Sequence, residues 1–336
     1  MTDMAVMRLG YLIVTLLLAG STVSFGQIVV TGIVLNEEDK SPIAYANIGI
    51  LDTSVGTISN PDGTFEIHIP GQHQNDSLLF SALGFRKLSF KVSELISQKS
   101  LTIHMQEQTT LLKNIVVKSK KKKPARTFQF GNYVYDAGSI HVDSIAAGSA
   151  MALLIENKYP AFQADLTVPY FAHKARLRIS YNTFDEFKIR LRFLSVHPET
   201  GLPDKDLYNG SIVVKSELRR GWVNFDLSKY NIRIDDQAFY LVFEWLIDDD
   251  DRRLLMDMYR EFERQFPKKV TTDTIVVEGE RITFNSYHGY RAGTSFASSS
   301  QRDVVDQFKC YYRNNSHGQW RRSSSVISAN VVVVNY

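Results

Sequence analysis

Gly56-Thr57-Ile58-Ser59-Asn60-Pro61-Asp62-Gly63-Thr64-Phe65, with Leu83-Gly84-Phe85 a short way downstream, is the most informative stretch of the chain. Asn60-Pro61-Asp62-Gly63 is turn chemistry: proline sets φ, aspartate bonds the nearby backbone, and glycine takes a positive φ without steric cost. Strand-like runs flank it, Gly56 to Ser59 before and Thr64 to Ile69 after. In the second run Phe65, Ile67 and Ile69 share one face, while Glu66 and His68 share the other. The stretch reads as a hairpin in a small β-sandwich.

On both sides of it, similar runs recur between polar turns. Ile28–Leu35, Ile43–Leu51, Ser77–Leu83, Arg86–Val92 and Leu101–Met105 complete about seven short strands within residues 27–117. Downstream, Phe187-Lys188-Ile189-Arg190-Leu191-Arg192-Phe193 alternates apolar residues with cations, which predicts one buried and one wet face of an antiparallel sheet. Ala175–Tyr181, Ile212–Lys215, Gly221–Leu227, Ala238–Ile247, Ile282–Phe284 and Val331–Val334 add strands, and Ser195–Leu207 reads as a long loop. Residues 127–336 therefore read as a jelly-roll-like β-sandwich. One α-helix is inserted in it, over Arg252–Phe266, with apolar residues at helical spacing. Asp248–Asp251 stand at its N-terminus and Pro267 lies beyond its end. The aspartate run reads as a helix cap rather than a calcium loop, because it lacks the glycine-bearing turn that spaces calcium ligands. The fold class is all-β.

At 336 residues the chain is long enough for two cored domains, and its net charge of +3 is too slight to indicate nucleic acid. Residues 1–26 read as a signal peptide: Arg8, the apolar run Leu9–Ala19, then small residues ending at Gly26. The expected location is the periplasm or the outer membrane. Cys310 is the single cysteine, so no intrachain disulfide forms. Residues 118–126 read as a basic, extended linker, with Lys120, Lys121, Lys122 and Lys123 as a candidate contact for anionic lipid.

Val30-Thr31-Gly32-Ile33-Val34, Pro42 to Ile48, Gly56-Thr57, Asp62-Gly63-Thr64-Phe65 and Leu83-Gly84-Phe85 resemble the carboxypeptidase-D regulatory-like domain. The resemblance implies a seven-stranded, transthyretin-like sandwich, common in envelope proteins of Bacteroidetes-type bacteria and carrying no catalytic residues. It also implies a role for Leu111, Ile115 and Val117, since receptors of this kind offer an extended strand there to an envelope partner. His104-Met105-Gln106-Glu107 has the local spacing of a zinc pair. It ends a strand of the accessory sandwich, however, and reads as an edge histidine beside a solvated glutamate.

No metal, cofactor or catalytic set is expected. The leading reading is an exported, non-catalytic binding protein for a glycan or an envelope partner. Trp320, Tyr287 and Tyr290 are its candidate ligand residues, because aromatic faces stack on sugars. Trp222 and Trp245 read equally well as core. The alternatives are a hydrolase using some of His141, His173, His197, His288 and His317, and an accessory subunit of a TonB-dependent transport system.

Overall fold

The structure is a computed structural model that describes residues 27–96, 98, 100–108, 126–136, 138–141, 147–156, 168–277 and 280–335. The leader, Leu111, Ile115, Val117 and Lys120–Lys123 lie outside the described residues.

The N-terminal unit comprises β1 (Ile28–Asn36), β2 (Asn47–Ile50), β3 (Gly56–Ile58), β4 (Thr64–Ile69), β5 (Ser77–Ser81), β6 (Leu88–Lys91), the short helix α1 (Val92–Leu95) and β7 (Leu101–Met105). One sheet runs β4-β1-β7 and the other β3-β2-β5-β6. Strand alternation fills the space between them: Val30, Val34, Phe65, Ile67, Ile103 and Met105 from the first sheet meet Ile48, Ile50, Leu78 and Phe80 from the second. Phe80 takes Phe65 and Phe90 edge-on, at 5.6 and 6.0 Å. This is the sandwich expected from the sequence.

The turn at its centre differs from the expected hairpin, because β3 pairs with β2 and β4 pairs with β1. Asn60–Gly63 is a corner that carries the chain from one sheet to the other. Its local chemistry is as read: Gly63 N–H donates to Asn60 O at 2.9 Å, and Asp62 accepts from Thr64 N–H and Oγ1. Gly63 has φ +80, and a Cβ there would stand 2.6 Å from Val34 O. Ser59 explains the change of sheet. Buried, it donates Oγ to Ile43 O and accepts from Ala46 N–H, which ties the end of β3 to the segment before β2.

The C-terminal unit follows with β8 (Arg126–Gly131), β9 (Gly138–His141), β10 (Ala150–Glu156), β11 (Tyr170–Asn182), β12 (Phe187–Val196), β13 (Pro203–Asp206), β14 (Ile212–Ser216), β15 (Gly221–Asp226), β16 (Ile232–Ile234) and β17 (Ala238–Trp245). After α2 (Asp249–Gln265) come β18 (Val270–Val277), β19 (Glu280–Tyr287), β20 (Thr294–Ser299), α3 (Arg302–Gln307), β21 (Cys310–Arg313), β22 (Arg321–Arg322), β23 (Val326–Ile327) and β24 (Ala329–Asn335). A seven-stranded sheet runs β13-β12-β17-β10-β21-β22 with β14 also on β12. An eight-stranded sheet runs β23-β20-β11-β24-β8, with β15 and β16 on β11 and β9 on β20. Their inner faces share one core, in which Leu153, Leu191, Phe193 and Phe243 of the first face Leu177, Ile179, Phe296 and Val331 of the second. Trp245 belongs to it, stacked on Phe296 at 4.6 Å. Cys310 is a buried small residue there, and burial pushes its thiol up to about 11.

Three departures from the sequence reading matter here. Part of the expected Ser195–Leu207 loop is the edge strand β13, which starts at Pro203, a position where proline costs no ladder bond. The run Ile282–Phe284 lies in a separate ribbon, β18–β19, that joins neither large sheet. The third is the cationic face of β12, which is not wet. Arg190 is 3% exposed, because Tyr45 and Asn47 of the N-terminal unit cover it, and Lys188 is half-buried against Asp248 and Asp251.

The inserted helix α2 forms as expected. Asp248 caps it by accepting from Asp251 N–H, and Asp251 accepts in return from Asp248 N–H.

Candidate functional site

Two surfaces gather functional groups, the junction between the units and the outer face of the eight-stranded sheet. At the junction, alternation along β12 points Lys188, Arg190 and Arg192 away from the C-terminal core. Register places Arg190 opposite Glu244 of β17, Glu244 opposite Ala150 of β10, and Ala150 opposite Arg313 of β21. Alanine at 150 is small enough for Arg313 to reach Glu244 across it, at 3.3 Å. Glu244, wholly buried, also receives Arg190 at 2.7 Å and Arg192 at 3.2 Å. Arg192 holds Asp206 through two parallel bonds of 2.9 and 2.7 Å. Burial raises the Glu244 carboxyl, but Arg190, Arg192 and Arg313 outweigh it and hold the group below its usual range.

The N-terminal unit closes this network. Arg190 donates to Tyr45 O at 2.5 Å and to Asn47 Oδ1 at 3.2 Å. Asn60, in the corner turn, accepts from Asp249 N–H and donates to Asp249 Oδ2 at the start of α2, while Arg252 reaches Thr57. Asp52 N–H donates to His317 O, and Ile58 sits in the C-terminal core. The junction is structural chemistry of high cost, because a buried ion repays its desolvation only where it is paired and hydrogen-bonded.

On the outer face of the eight-stranded sheet, β15 presents Trp222 and Asn224 opposite Arg178 and Arg176 of β11. Asn330 of β24 lies beyond Arg176, and Gln129 of β8 donates to Asn330 Oδ1 at 2.7 Å. The segment after β8 lays Tyr133 and Tyr135 over this face, both more than two-fifths exposed. Tyr133 stands 6.2 Å from Trp222. The Arg176 guanidinium lies 4.9 Å from the Trp222 ring centre, and that of Arg178 lies 3.6 Å from the Tyr135 centre. Two buried donors here, Arg176 Nε and Asn330 Nδ2, have no protein partner. Gln129, Tyr133 and Val134 continue into a pocket of about 280 Å³ at the β8 edge, closed by Leu154, Glu156 and Lys309.

The residues named from sequence fall elsewhere. Tyr287 and Tyr290 pack on α2, Tyr287 at 4.5 Å from Tyr259 and Tyr290 stacked on Phe262 at 4.3 Å. They fasten the β18–β19 ribbon to the helix. Trp320 belongs to a different cluster, over the seven-stranded sheet with Tyr240 and Leu194, and lies 4.5 Å from the Arg313 guanidinium. The three aromatics therefore do not form one surface. Trp222, given equal standing as core, lies outside it.

The five candidate histidines stand on separate elements. His141 bonds Tyr181 Oη at 2.7 Å, His197 Nδ1 accepts from Glu199 and Thr200 N–H, and His288 meets Thr271. His173 lies in β11, and its carbonyl accepts from Leu227 N–H. His317 is enclosed at the junction, with Nε2 3.4 Å from Asn47 O. His104 is exposed on β7, and Glu107 accepts from Asn36 at 2.9 Å. Among the described residues no group of three His, Cys, Asp or Glu side chains gathers to hold a metal.

Sequence reading missed Arg176, Arg178, Tyr133 and Tyr135. Arg176 and Arg178 alternate visibly with Ala175, Leu177 and Ile179, but only the register with β15 brings Trp222 beside them.

Residues 30–117 match the family model described as the CarboxypepD_reg-like domain. The N-terminal sandwich is thus a carboxypeptidase-D regulatory-like domain, as its motifs implied. No curated protein matches the sequence. Among solved structures, the major pilin subunit BcpA of Bacillus cereus aligns at 9% identity over 90% of this chain and 69% of that one. The TM-score is 0.17, from which no shared fold follows.

Proposed function

We propose that this chain is an exported, non-catalytic protein of the cell envelope that binds a glycan on the outer face of its eight-stranded sheet. One observation carries the reading: Trp222 and Tyr133 stand 6.2 Å apart, with the Arg176 guanidinium 4.9 Å from the Trp222 ring, and Arg176 Nε and Asn330 Nδ2 on the neighbouring strand lack a protein partner. A pyranose offers both halves of the complement, an apolar face for the rings and hydroxyls for the guanidinium and amide groups of the face. Arg178, Asn224 and Gln129 extend the polar part of the same face. The regulatory-like sandwich supplies no chemistry in this reading and holds the larger domain in place.

The test is a polysaccharide and peptidoglycan array probed with the chain lacking residues 1–26. Binding is expected, and Trp222→Ala and Tyr133→Ala each abolish it while the circular dichroism spectrum stays unchanged. Silence across the array, or binding indifferent to both substitutions, removes the glycan reading. Export rests on residues 1–26 alone. Cell fractionation of the full chain tests it, and recovery in the cytoplasm would count against envelope residence.

A further inference from the structure

The junction holds a second feature that the glycan reading does not use. A pocket of about 200 Å³ opens between the units, lined by Asp52, Thr53 and Ser54 from the β2–β3 turn and by residues of the β21–β22 hairpin, among them Arg313, Gln319 and Arg321. We propose that this pocket is an oxyanion site, which takes a phosphate or carboxylate group between Arg313 and Arg321.

Charge is the first argument. Three buried guanidiniums, Arg190, Arg192 and Arg313, share two carboxylates, Glu244 and Asp206. Lys188 stands apart from this cluster, between two carboxylates of its own, Asp248 and Asp251. Within the cluster of Arg190, Arg192, Arg313, Glu244 and Asp206 the cations outnumber the acids by one, and a buried charge without full compensation is costly.

The surplus falls on Arg313. Arg190 bonds Glu244, Tyr45 O, Asn47 and Ser211, and Arg192 bonds Asp206 twice and Glu244 once. The Arg313 side chain makes a single hydrogen bond, of 3.3 Å to Glu244 Oε2, and its Nε has no partner. It is 8% exposed, and it lines the pocket. Burial, and then repulsion from Arg192, lowers its pKa to about 10, so it is still a cation at neutral pH. Trp320 covers the guanidinium at 4.5 Å.

The remaining lining suits an oxyanion. Arg321 is exposed and has no acid partner among the described residues, and Thr53, Ser54, Asn314 and Gln319 are polar. Asp52, the one acid of the lining, offsets only one of the two guanidiniums. Planar guanidinium forks match carboxylate and phosphate oxygens equally, so the shared oxyanion chemistry is what the pocket selects.

Calorimetric titration of the chain lacking residues 1–26, at low ionic strength, tests the site with inorganic phosphate and with glucuronate as separate probes. Saturable binding of at least one probe is expected. Arg321→Gln should weaken it by about tenfold, the worth of one charge-assisted bond. Arg313→Gln should abolish it, and Trp222→Ala, on the other sheet, should leave it unchanged, which separates this site from the glycan face. Binding of phosphate alone assigns a phosphate group, and binding of glucuronate alone assigns a carboxylate. No saturable binding of either probe overturns the proposal, as does binding indifferent to Arg321→Gln. If Arg313→Gln fails to fold, Arg321→Gln and Ser54→Ala decide the matter.

Discussion

Replacing Glu244 by glutamine removes one charge and almost no volume, so it isolates what the junction network contributes. In the native chain Glu244 is wholly buried and receives Arg190 at 2.7 Å, Arg192 at 3.2 Å and Arg313 at 3.3 Å. Glutamine keeps one acceptor and turns an amide N–H₂ toward a guanidinium, leaving Asp206 as the only acid among three buried arginines. Stranding buried charges this way costs about 3–5 kcal/mol, against about 5–15 kcal/mol for the stability of a typical domain. With a slope of about 3 kcal/mol per molar urea, the unfolding midpoint should fall by roughly 1–1.7 M, followed by tryptophan fluorescence. Glu66→Gln, on an exposed strand face, is the control and should stay within about 0.5 kcal/mol of the native chain. The triple change Arg190→Met, Glu244→Met, Arg313→Met leaves Arg192 with Asp206 and should recover most of the loss, since apolar residues replace buried ion clusters well. The pH dependence has a fixed sign. The Glu244 carboxyl is held below its ordinary 4.5, so its contribution is present above that value and disappears as the pH falls through the lower folded value. A midpoint for Glu244→Gln within about 0.5 kcal/mol of native would mean that water reaches the network, and the reasoning would fail.

Four further outcomes follow from the same geometry. His317 is lowered from 6.5 to about 4 by burial, so the unfolded chain takes up a proton first; stability should drop by up to about 3 kcal/mol between those pH values, and His317→Gln should flatten that limb of a pH series of denaturation curves. Asn60→Ala loses three bonds, two of them to Asp249 of the neighbouring unit, and should cost about 2–3 kcal/mol in thermal unfolding. Ala150→Leu, inserted between Glu244 and Arg313 at a fully buried position, should cost about 1–3 kcal/mol through overpacking. Tyr290→Ala removes the stack on Phe262 and should speed amide exchange in β18–β19 while leaving exchange in β11 and β17 unchanged.

Period-two alternation made the strands legible, and turn chemistry made the corner at Asn60–Gly63 legible. What alternation does not carry is the identity of the neighbour. On β12 it separates Ile189 and Leu191 from Arg190 and Arg192 correctly, yet whether the cations meet water or a second domain depends on contacts more than 140 positions away, at Tyr45 and Asn47. The corner shows the same limit: the turn bonds are local, but the choice of sheet is made by Ser59 reaching back to Ile43. Trp320, Tyr287 and Tyr290 sit in polar sequence, yet Tyr287 and Tyr290 meet Tyr259 and Phe262 of α2 and Trp320 meets the Arg313 guanidinium, neighbours that the local sequence does not reveal. The Trp222 surface was out of reach for a related reason. Its four aromatic and guanidinium partners come from two segments that only the sheet brings together.

Ile58 belongs by chain position to the smaller sandwich and by burial to the core of the larger one. During synthesis it emerges long before β12 and β17 exist, so the first module waits with an apolar residue and a bare carbonyl edge facing solvent. Either half expressed by itself should therefore be sticky, one through Ile58 and the other through unshielded arginines. Transplanting a different regulatory-like module onto this C-terminal half would require carrying over Ile58, Asn60 and the Tyr45 backbone geometry together. The pair behaves less like beads on a string than like a mortise cut for a single tenon.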